Sequence, residues 1–289
     1  MHSHIEKEIT SHISILKKVN AGHEGEEHFT HYPTVSVITP SYNQGEFLER
    51  TILSVLNQDW PNLEYIIIDG GSKDNSREII ERYAEHLTCW VSEPDRGQTD
   101  ALNKGLKRAS GKYVTWIGSD DVLLPGALTK MVAALEEHPF AGIVYGGVAF
   151  IDHQDRVKKT LAYPDLSLEK LLYHKHSTLA QPSSLVRREI LDLAGGLDES
   201  LSYCMDYDLW IRLLTISRCV NLGDTILSGY RLHPESKTVG SYRKMALEKI
   251  MVNRKHTGDA LNRVIYSHYW YIVEDAARNL KKGIFGAEK

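Results

Sequence analysis

Three groups of residues in this chain have the types and spacing that chemistry uses. Gly118-Ser119-Asp120-Asp121 sets two carboxylates side by side directly after the apolar run Tyr113-Val114-Thr115-Trp116-Ile117. Adjacent acids at a strand end repel one another and lose hydration, so a cation is needed there, and a divalent metal carrying a phosphate is the leading candidate. Carboxylate oxygens suit Mg2+ or Mn2+ held jointly with a diphosphate rather than in an all-protein cage. The competing reading is a solvated turn, or the cap of the helix that follows Pro125. Asp206 and Asp208 begin a helical pattern, where an acid serves either as a cap or as a general base that takes a proton from an acceptor hydroxyl. Asp208 stands four residues before Arg212, the spacing of a helical ion pair, so the base is assigned to Asp206 and a structural part to Asp208. His233, just beyond an apolar run, is a candidate metal ligand, with Arg231 or Lys237 nearby for phosphate charge.

A second set of residues has the composition of a nucleotide site. Asp69 follows Tyr65-Ile66-Ile67-Ile68 and offers a carboxylate to a base N–H, while Gly70 and Gly71 permit close backbone approach. Capping of the turn and of the next helix by Asp69 and Ser72 explains the same residues equally well. Pro40-Ser41-Tyr42-Asn43 ends another apolar run, and Tyr42 offers a ring for stacking on a base. Arg96 fits either a surface ion pair or a contact to phosphate or base.

The elements that must position these residues are strands alternating with helices. Val35 to Thr39, Glu64 to Ile68, Cys89 to Val91 and the run ending at Ile117 read as strands. Helices fall at about Phe47 to Leu56, Ser76 to His86 and Thr99 to Ala109. Nearly continuous apolar, β-branched strands separated by helices predict an α/β fold with a mostly parallel central sheet covered on both faces. Such sheets bind ligands at the carboxyl ends of their strands, where the three polar clusters fall. Beyond Asp121 the pattern predicts a helix from Leu123 to Glu137 and strands at Ile143 to Phe150, Ser184 to Val186 and Thr225 to Tyr230. Helices are predicted near Leu168 to Tyr173 and Tyr207 to Leu214. The expected organisation is a polar arm over residues 1–32 with a short helical pattern in Ile9, Ile13 and Leu16, a nucleotide-binding half over 33–122, an acceptor half over 123–240, and a helical extension over 241–289.

Composition bounds the partners. The chain has 289 residues, 42% hydrophobic and 25% charged, with a net charge of -4, so it lacks the basic excess of a nucleic-acid binder. Cys89, Cys204 and Cys219 are odd in number and far apart, which argues against a disulfide framework or a thiolate zinc site. No apolar stretch approaches the roughly 20 residues that span a bilayer, and the first residues lack a signal-peptide core, so a cytoplasmic protein is expected. The aromatic tail, with Tyr266, Tyr269, Trp270 and Tyr271, is expected to pack on the domain or on a second copy. It also leaves room for peripheral contact with the inner face of a membrane, where lipid-linked acceptors are met.

Taken in order, four motifs resemble those of glycosyltransferase family 2: Pro33 to Asn43, Ile67 to Ser76, Asp95-Arg96-Gly97 with Asp100 to Gly105, and Ser119-Asp120-Asp121. The resemblance spans about residues 33 to 240. It implies a GT-A fold and inverting transfer of a sugar from a nucleotide-diphospho-sugar to a hydroxyl of a glycan or lipid-linked acceptor, with Mn2+ or Mg2+ and a part in cell-surface polysaccharide synthesis. It also implies that Pro40, Tyr42 and Asn43 line the donor, Asp69 holds the base and Arg96 lies near the nucleotide. Asp120 would contact the ribose or sugar, Asp121 bind the metal, and Asp206 act as catalytic base. Tyr230-Arg231-Leu232-His233 with Ser236 is similar to the family's closing motif. Two positions depart from the pattern: the doubled acid common after the second strand is Asp69-Gly70, and the residue before the base, often Glu, is Met205. No Gln-x-x-Arg-Trp motif is present, which argues against a processive synthase. The rivals are a nucleotidyltransferase, against which stands the lack of a Gly-rich basic first loop, and a non-catalytic binding protein on the same fold.

Overall fold

The computed structural model describes residues 29–174, 178–234, 236 and 241–272. The helical pattern at Ile9 to Leu16, Lys237 and the end of the helical extension lie outside the described residues. Four strands form the amino-terminal part of the sheet: β1 (Val35–Ser41), β2 (Leu63–Asp69), β3 (Cys89–Ser92) and β4 (Tyr113–Trp116). They pair in parallel in the order β3-β2-β1-β4. In β2 every residue from Tyr65 to Asp69 is buried. Alternation sends Ile66 and Ile68 into the core on one face and Tyr65 and Ile67 into the core on the other. A strand apolar at every position is thus what a sheet covered on both sides requires.

Helix α1 (Gly45–Leu56) follows β1 and buries Phe47, Leu48, Thr51, Ile52 and Val55, the stripe its spacing predicts. Helices α2 (Ser76–Arg82) and α3 (Gln98–Leu106) complete the strand and helix alternation. The register aligns Ser41 with Asp69, and Asp69 with Ser92, so the loops after β1, β2 and β3 open at one edge.

Beyond β4 the sheet becomes mixed. It continues through β8 (Ser184–Arg187), β6 (Ala141–Ile151), β9 (Arg218–Arg231) and β5 (Val122–Leu123), while β7 (Val157–Leu161) pairs with β6. The β4–β8 and β8–β6 ladders are antiparallel and β6–β9 is parallel. Two expectations are corrected here, and one strand that was not expected is added. Residues 122 and 123 pair with β9, and helix α4 (Ala127–Glu137) starts only after Gly126, whose φ of 72° breaks the run. Strand β9 begins at Arg218 rather than Thr225, because its first residues pair along β6. Strand β7 escapes an apolar pattern search because Lys158, Lys159 and Thr160 are exposed on the sheet's edge.

Helices α5 (Leu168–Tyr173), α6 (Arg188–Ala194) and α7 (Met205–Ile216) cover this half. The extension supplies α8 (Tyr242–Thr257), which docks on α7. Glu248 of α8 accepts hydrogen bonds from the backbone N–H groups of Ser202, Tyr203 and Cys204, at 2.9, 2.6 and 2.6 Å, just ahead of α7. Lys255 and His256 reach Asp208 at 3.2 and 2.8 Å. Leu247, Met251, Leu261, Tyr266 and Trp270 remain exposed on the extension. Among the described residues, no helix is long and apolar enough to cross a membrane.

Candidate active site

A crevice of about 940 Å3 opens where the carboxyl ends of β1, β2 and β4 meet the start of α7, and its lining includes Tyr42, Asp95, Asp120, Asp121 and Asp206. Residues from both predicted halves therefore face one space. Its acidic wall is a tight turn in which the Asp121 N–H donates to the Gly118 carbonyl at 3.0 Å. A Cβ at Gly118 would lie 2.7 Å from Asp120 Oδ1, so glycine is what lets the carboxylate fold back over the turn. Thr51 of α1 donates its hydroxyl to the carbonyls of Ser119 and Asp121, at 2.9 and 2.6 Å, which pins the turn from beneath.

The last strand clasps the same turn. The Arg231 N–H donates to Asp121 Oδ1 at 2.8 Å, and the Arg231 guanidinium donates to the carbonyls of Asp120 (2.6 Å) and Asp152 (2.9 Å) while pairing with Asp155. Asp121 is buried. Desolvation, and next the charge of Asp120, hold its carboxyl well above the ordinary carboxylate value, against the opposing pull of Arg231. A buried acid under this repulsion fits a divalent cation, and carboxylate oxygen is the donor that Mg2+ and Mn2+ prefer. Ser41 and Ser236 also face the crevice, and their buried hydroxyls find no partner among the described residues. Unpartnered buried hydroxyls beside an undercompensated acid suit a polar, phosphate-bearing ligand.

His233 lies at the acidic turn, but on Asp120. Its Nε2 is 3.0 Å from Asp120 Oδ2 and its ring packs against Phe47 at 4.9 Å, so the nitrogen expected to meet a metal is paired here with the first acid. Among the described residues no group of three or more His, Cys, Asp or Glu side chains converges on a metal-sized point.

Three of the residues assigned to the nucleotide, Asp69, Arg96 and Asn43, lie off the crevice lining. Asp69 is fully buried and organises its own loop: it accepts from the N–H groups of Gly71 (3.1 Å) and Ser72 (3.0 Å), from the Ser72 hydroxyl, and from Ser92 Oγ at 2.8 Å. It is not on the crevice lining, and its described contacts are those of the capping reading. The Arg96 side chain is 75% exposed and pairs with Asp100 at 3.0 Å and Glu199 at 2.6 Å, outside the crevice lining. The surface ion pair therefore describes it. Asn43 ties two loops together instead of facing the crevice: its N–H donates to Ser72 Oγ and its side-chain oxygen accepts from the Lys73 N–H, both at 2.8 Å. Pro40 and Tyr42 do line the crevice, with Tyr42 exposed to 58%.

Asp206 stands in the first turn of α7, next to Met205, on the crevice lining. The Tyr207 N–H donates to its Oδ1 at 2.7 Å. Burial holds the Asp206 carboxyl above its ordinary value, as a base working near neutral pH requires, while Lys249 of α8 pulls the other way. Asp208 points away from the crevice and is fully buried. Burial there is outweighed by His256, Arg212 at 2.7 Å and Lys255, which hold its carboxyl below the ordinary value. The Trp116 and Trp210 rings stack in parallel at 5.8 Å, joining the β4 end to α7 and fixing the distance between the two acidic walls.

Sequence reasoning missed Asp95 as a lining residue, and gave Ser41 and Lys73 no role. The signal available for Ser41 was its place as the last residue of β1, in the row of strand ends already read as a binding edge.

The chain matches the Glycosyl transferase family 2 domain over residues 36–193. It is similar to the uncharacterized glycosyltransferase RP339 of Rickettsia prowazekii, 32% identical over 215 residues, covering 71% of this chain and 66% of that protein. A hyaluronan synthase of Pasteurella multocida is 26% identical over 267 residues, 90% of this chain but only 26% of the synthase. The fold is shared with the mannosyltransferase PcManGT of Pyrobaculum calidifontis, solved in complex with GDP-Man and Mn2+. That likeness has a TM-score of 0.63 at 17% identity and covers 98% of this chain and 85% of that one. The architecture is the GT-A fold, and by the extent of the domain match this chain belongs to glycosyltransferase family 2.

Proposed function

We propose that the protein is an inverting glycosyltransferase that moves a sugar from a nucleotide-diphospho-sugar to a hydroxyl of a glycan or lipid-linked saccharide during polysaccharide synthesis. The observation that carries this reading is one crevice walled by Asp120 and Asp121 on the β4 side and by Asp206 on the α7 side. Relatives that include a hyaluronan synthase support the polymer context, and a structural neighbour holding GDP-Man and Mn2+ supports the donor class.

In this reading Asp121 holds a divalent metal, which supplies positive charge to the diphosphate of the donor. Asp120, steadied by His233, faces the ribose or the transferred sugar. The Asp206 carboxylate takes the proton of the acceptor hydroxyl, and that oxygen bonds to the anomeric carbon from the face opposite the diphosphate. The bond between the anomeric carbon and the diphosphate breaks, its electron pair leaves on the nucleoside diphosphate, and the configuration inverts. The raised carboxyl of Asp206 matches that proton transfer.

Asp206→Asn tests the assignment. The amide cannot take the proton, so transfer should fall by about a thousandfold, while titration with nucleoside diphosphate shows unchanged affinity. Full turnover in the variant would remove Asp206 from the reaction.

A further inference from the structure

The β2 loop presents no free carboxylate to the nucleotide, since Asp69 is used within its own turn and position 70 is glycine. The space a side chain at position 70 would enter is not empty. A Cβ built on Gly70 lies 2.6 Å from Asp95 Oδ2 and 3.0 Å from Asp95 Cγ, so the carboxylate of the β3 loop occupies the place of a β2-loop side chain. The two loops are in close contact there, because a Cβ at Gly71, whose φ is +77°, would lie 3.2 Å from the Pro94 nitrogen. Asp95 is itself held: its Oδ1 accepts the Gly97 N–H at 2.8 Å. Its Oδ2 accepts no hydrogen bond from a described residue, and the side chain lines the crevice with Gly70, Gly71 and Tyr42.

The sheet order says which part of a donor reaches it. The acidic turn follows β4 and Asp95 follows β3, and the order β3-β2-β1-β4 separates them by three strand spacings, about 14 Å at about 4.8 Å per strand. A nucleotide with its diphosphate at Asp121 and its ribose near Asp120 and β1 carries its base to the β2 and β3 loops. A carboxylate at that place accepts hydrogen bonds and donates none. We infer that Asp95 is the base-reading residue, its Oδ2 accepting a ring N–H, so that the protein selects uracil or guanine donors over cytosine and adenine. The latter pair present an acceptor nitrogen at the corresponding edge. Gly70 is part of the device, since it gives the Asp95 carboxylate its room.

This inference rests on the proposed nucleotide-sugar reading, and calorimetric titration with UDP, GDP, CDP and ADP in the presence of Mn2+ separates the two. The wild-type protein should bind UDP at least about tenfold more tightly than CDP, or GDP more tightly than ADP, the size expected of one hydrogen bond to a charged group. Asp95→Ala should remove most of that preference by weakening the favoured nucleotide and leaving the other within about threefold. Asp95→Asn keeps the shape, offers an N–H in place of an acceptor, and should shift the preference toward CDP or ADP. The double variant Gly70→Asp with Asp95→Ala returns a carboxylate to the same space from the other loop and should restore the original preference. Thermal melts check that each variant is folded, and should Asp95→Ala fail to fold, the near-isosteric Asn variant decides. An unchanged preference in a folded Asp95 variant overturns the inference and leaves the donor reading standing. Failure of the wild type to bind any of the four overturns both.

Discussion

Two acid pairs stand on either side of the crevice, and the protein treats them differently. In Asp206 and Asp208 the members are divided: Asp208 receives Arg212, Lys255 and His256 and is fully buried, whereas Asp206 keeps its place on the crevice wall. In Asp120 and Asp121 the division is different: Asp120 pairs with His233 at 3.0 Å, whereas buried Asp121 receives no cationic side chain among the described residues. Arg231 gives Asp121 only its backbone N–H and directs its guanidinium to carbonyls and Asp155. The fold thus surrounds the bracing acid Asp208 with cationic side chains and gives Asp121, on the crevice lining, a backbone N–H alone. Burial without a partner marks a functional carboxylate better than burial alone.

The largest test of this contrast is Asp121→Asn, which keeps an acceptor for the Arg231 N–H and removes the charge. Affinity for a nucleoside diphosphate with Mn2+ should fall by about a hundredfold or more, the scale of losing one member of a buried charge pair. The melting temperature of the metal-free protein at neutral pH should hold or rise, because a like-charge repulsion is relieved. A drop in metal-free stability with unchanged affinity would reverse the roles given to the two pairs.

Acid should then act on Asp121 and Asp208 with opposite sign. Asp121 has a folded value above its unfolded one, so the folded protein holds the proton more tightly, and its contribution to stability declines as pH rises through the raised value. Asp208 has a folded value below its unfolded one, so its contribution is present above the ordinary carboxylate value and is lost as pH falls through the depressed one. Melting temperatures of metal-free protein across pH, compared with those of Asp121→Asn and Asp208→Asn, should show the two slopes disappear separately. The raised value of Asp206 should also place the acid limb of kcat above the range of an ordinary carboxylate. A limb at the ordinary value would argue against Asp206 as the base.

The smallest effect concerns the brace itself. Glu248→Ala leaves three N–H groups ahead of α7 without their acceptor and should cost about 2 kcal/mol of stability. Denaturant titration measures this, and donor affinity should stay within about twofold. A matching loss of donor affinity would show that the two walls are not energetically separate.

Much of the donor wall was legible in the sequence, because buried parallel strands leave long apolar runs and the residues ending them fall at one edge. Asp120, Asp121, Pro40 and Tyr42, placed at strand ends by that logic, line the crevice. Asp69, Asn43 and Arg96 lie off that lining, because a polar loop residue has the same local sequence whether it holds its own turn or surface or faces a ligand. What decides is which donors the neighbouring strand brings, here Ser92 of β3 on Asp69. Asp95 lay beyond reach for the related reason that its closeness to Gly70 crosses 25 residues and depends on the loop packing beyond β2 and β3. Strand β5, two residues long, and the exposed β7 carry too little pattern to register.

The clasp between Arg231 and the acidic turn has a consequence for how the protein is made. It joins residues 110 positions apart, and Arg231 closes the last strand of the sheet. Contacts of that separation require the closure of a long loop and form late in folding. A nascent chain with β1 to β4 already paired therefore still lacks the N–H that holds Asp121. In the proposed reading, competence to hold the leaving group then depends on the final strand, so a ribosome that stops before residue 231 should release a chain with an unset site.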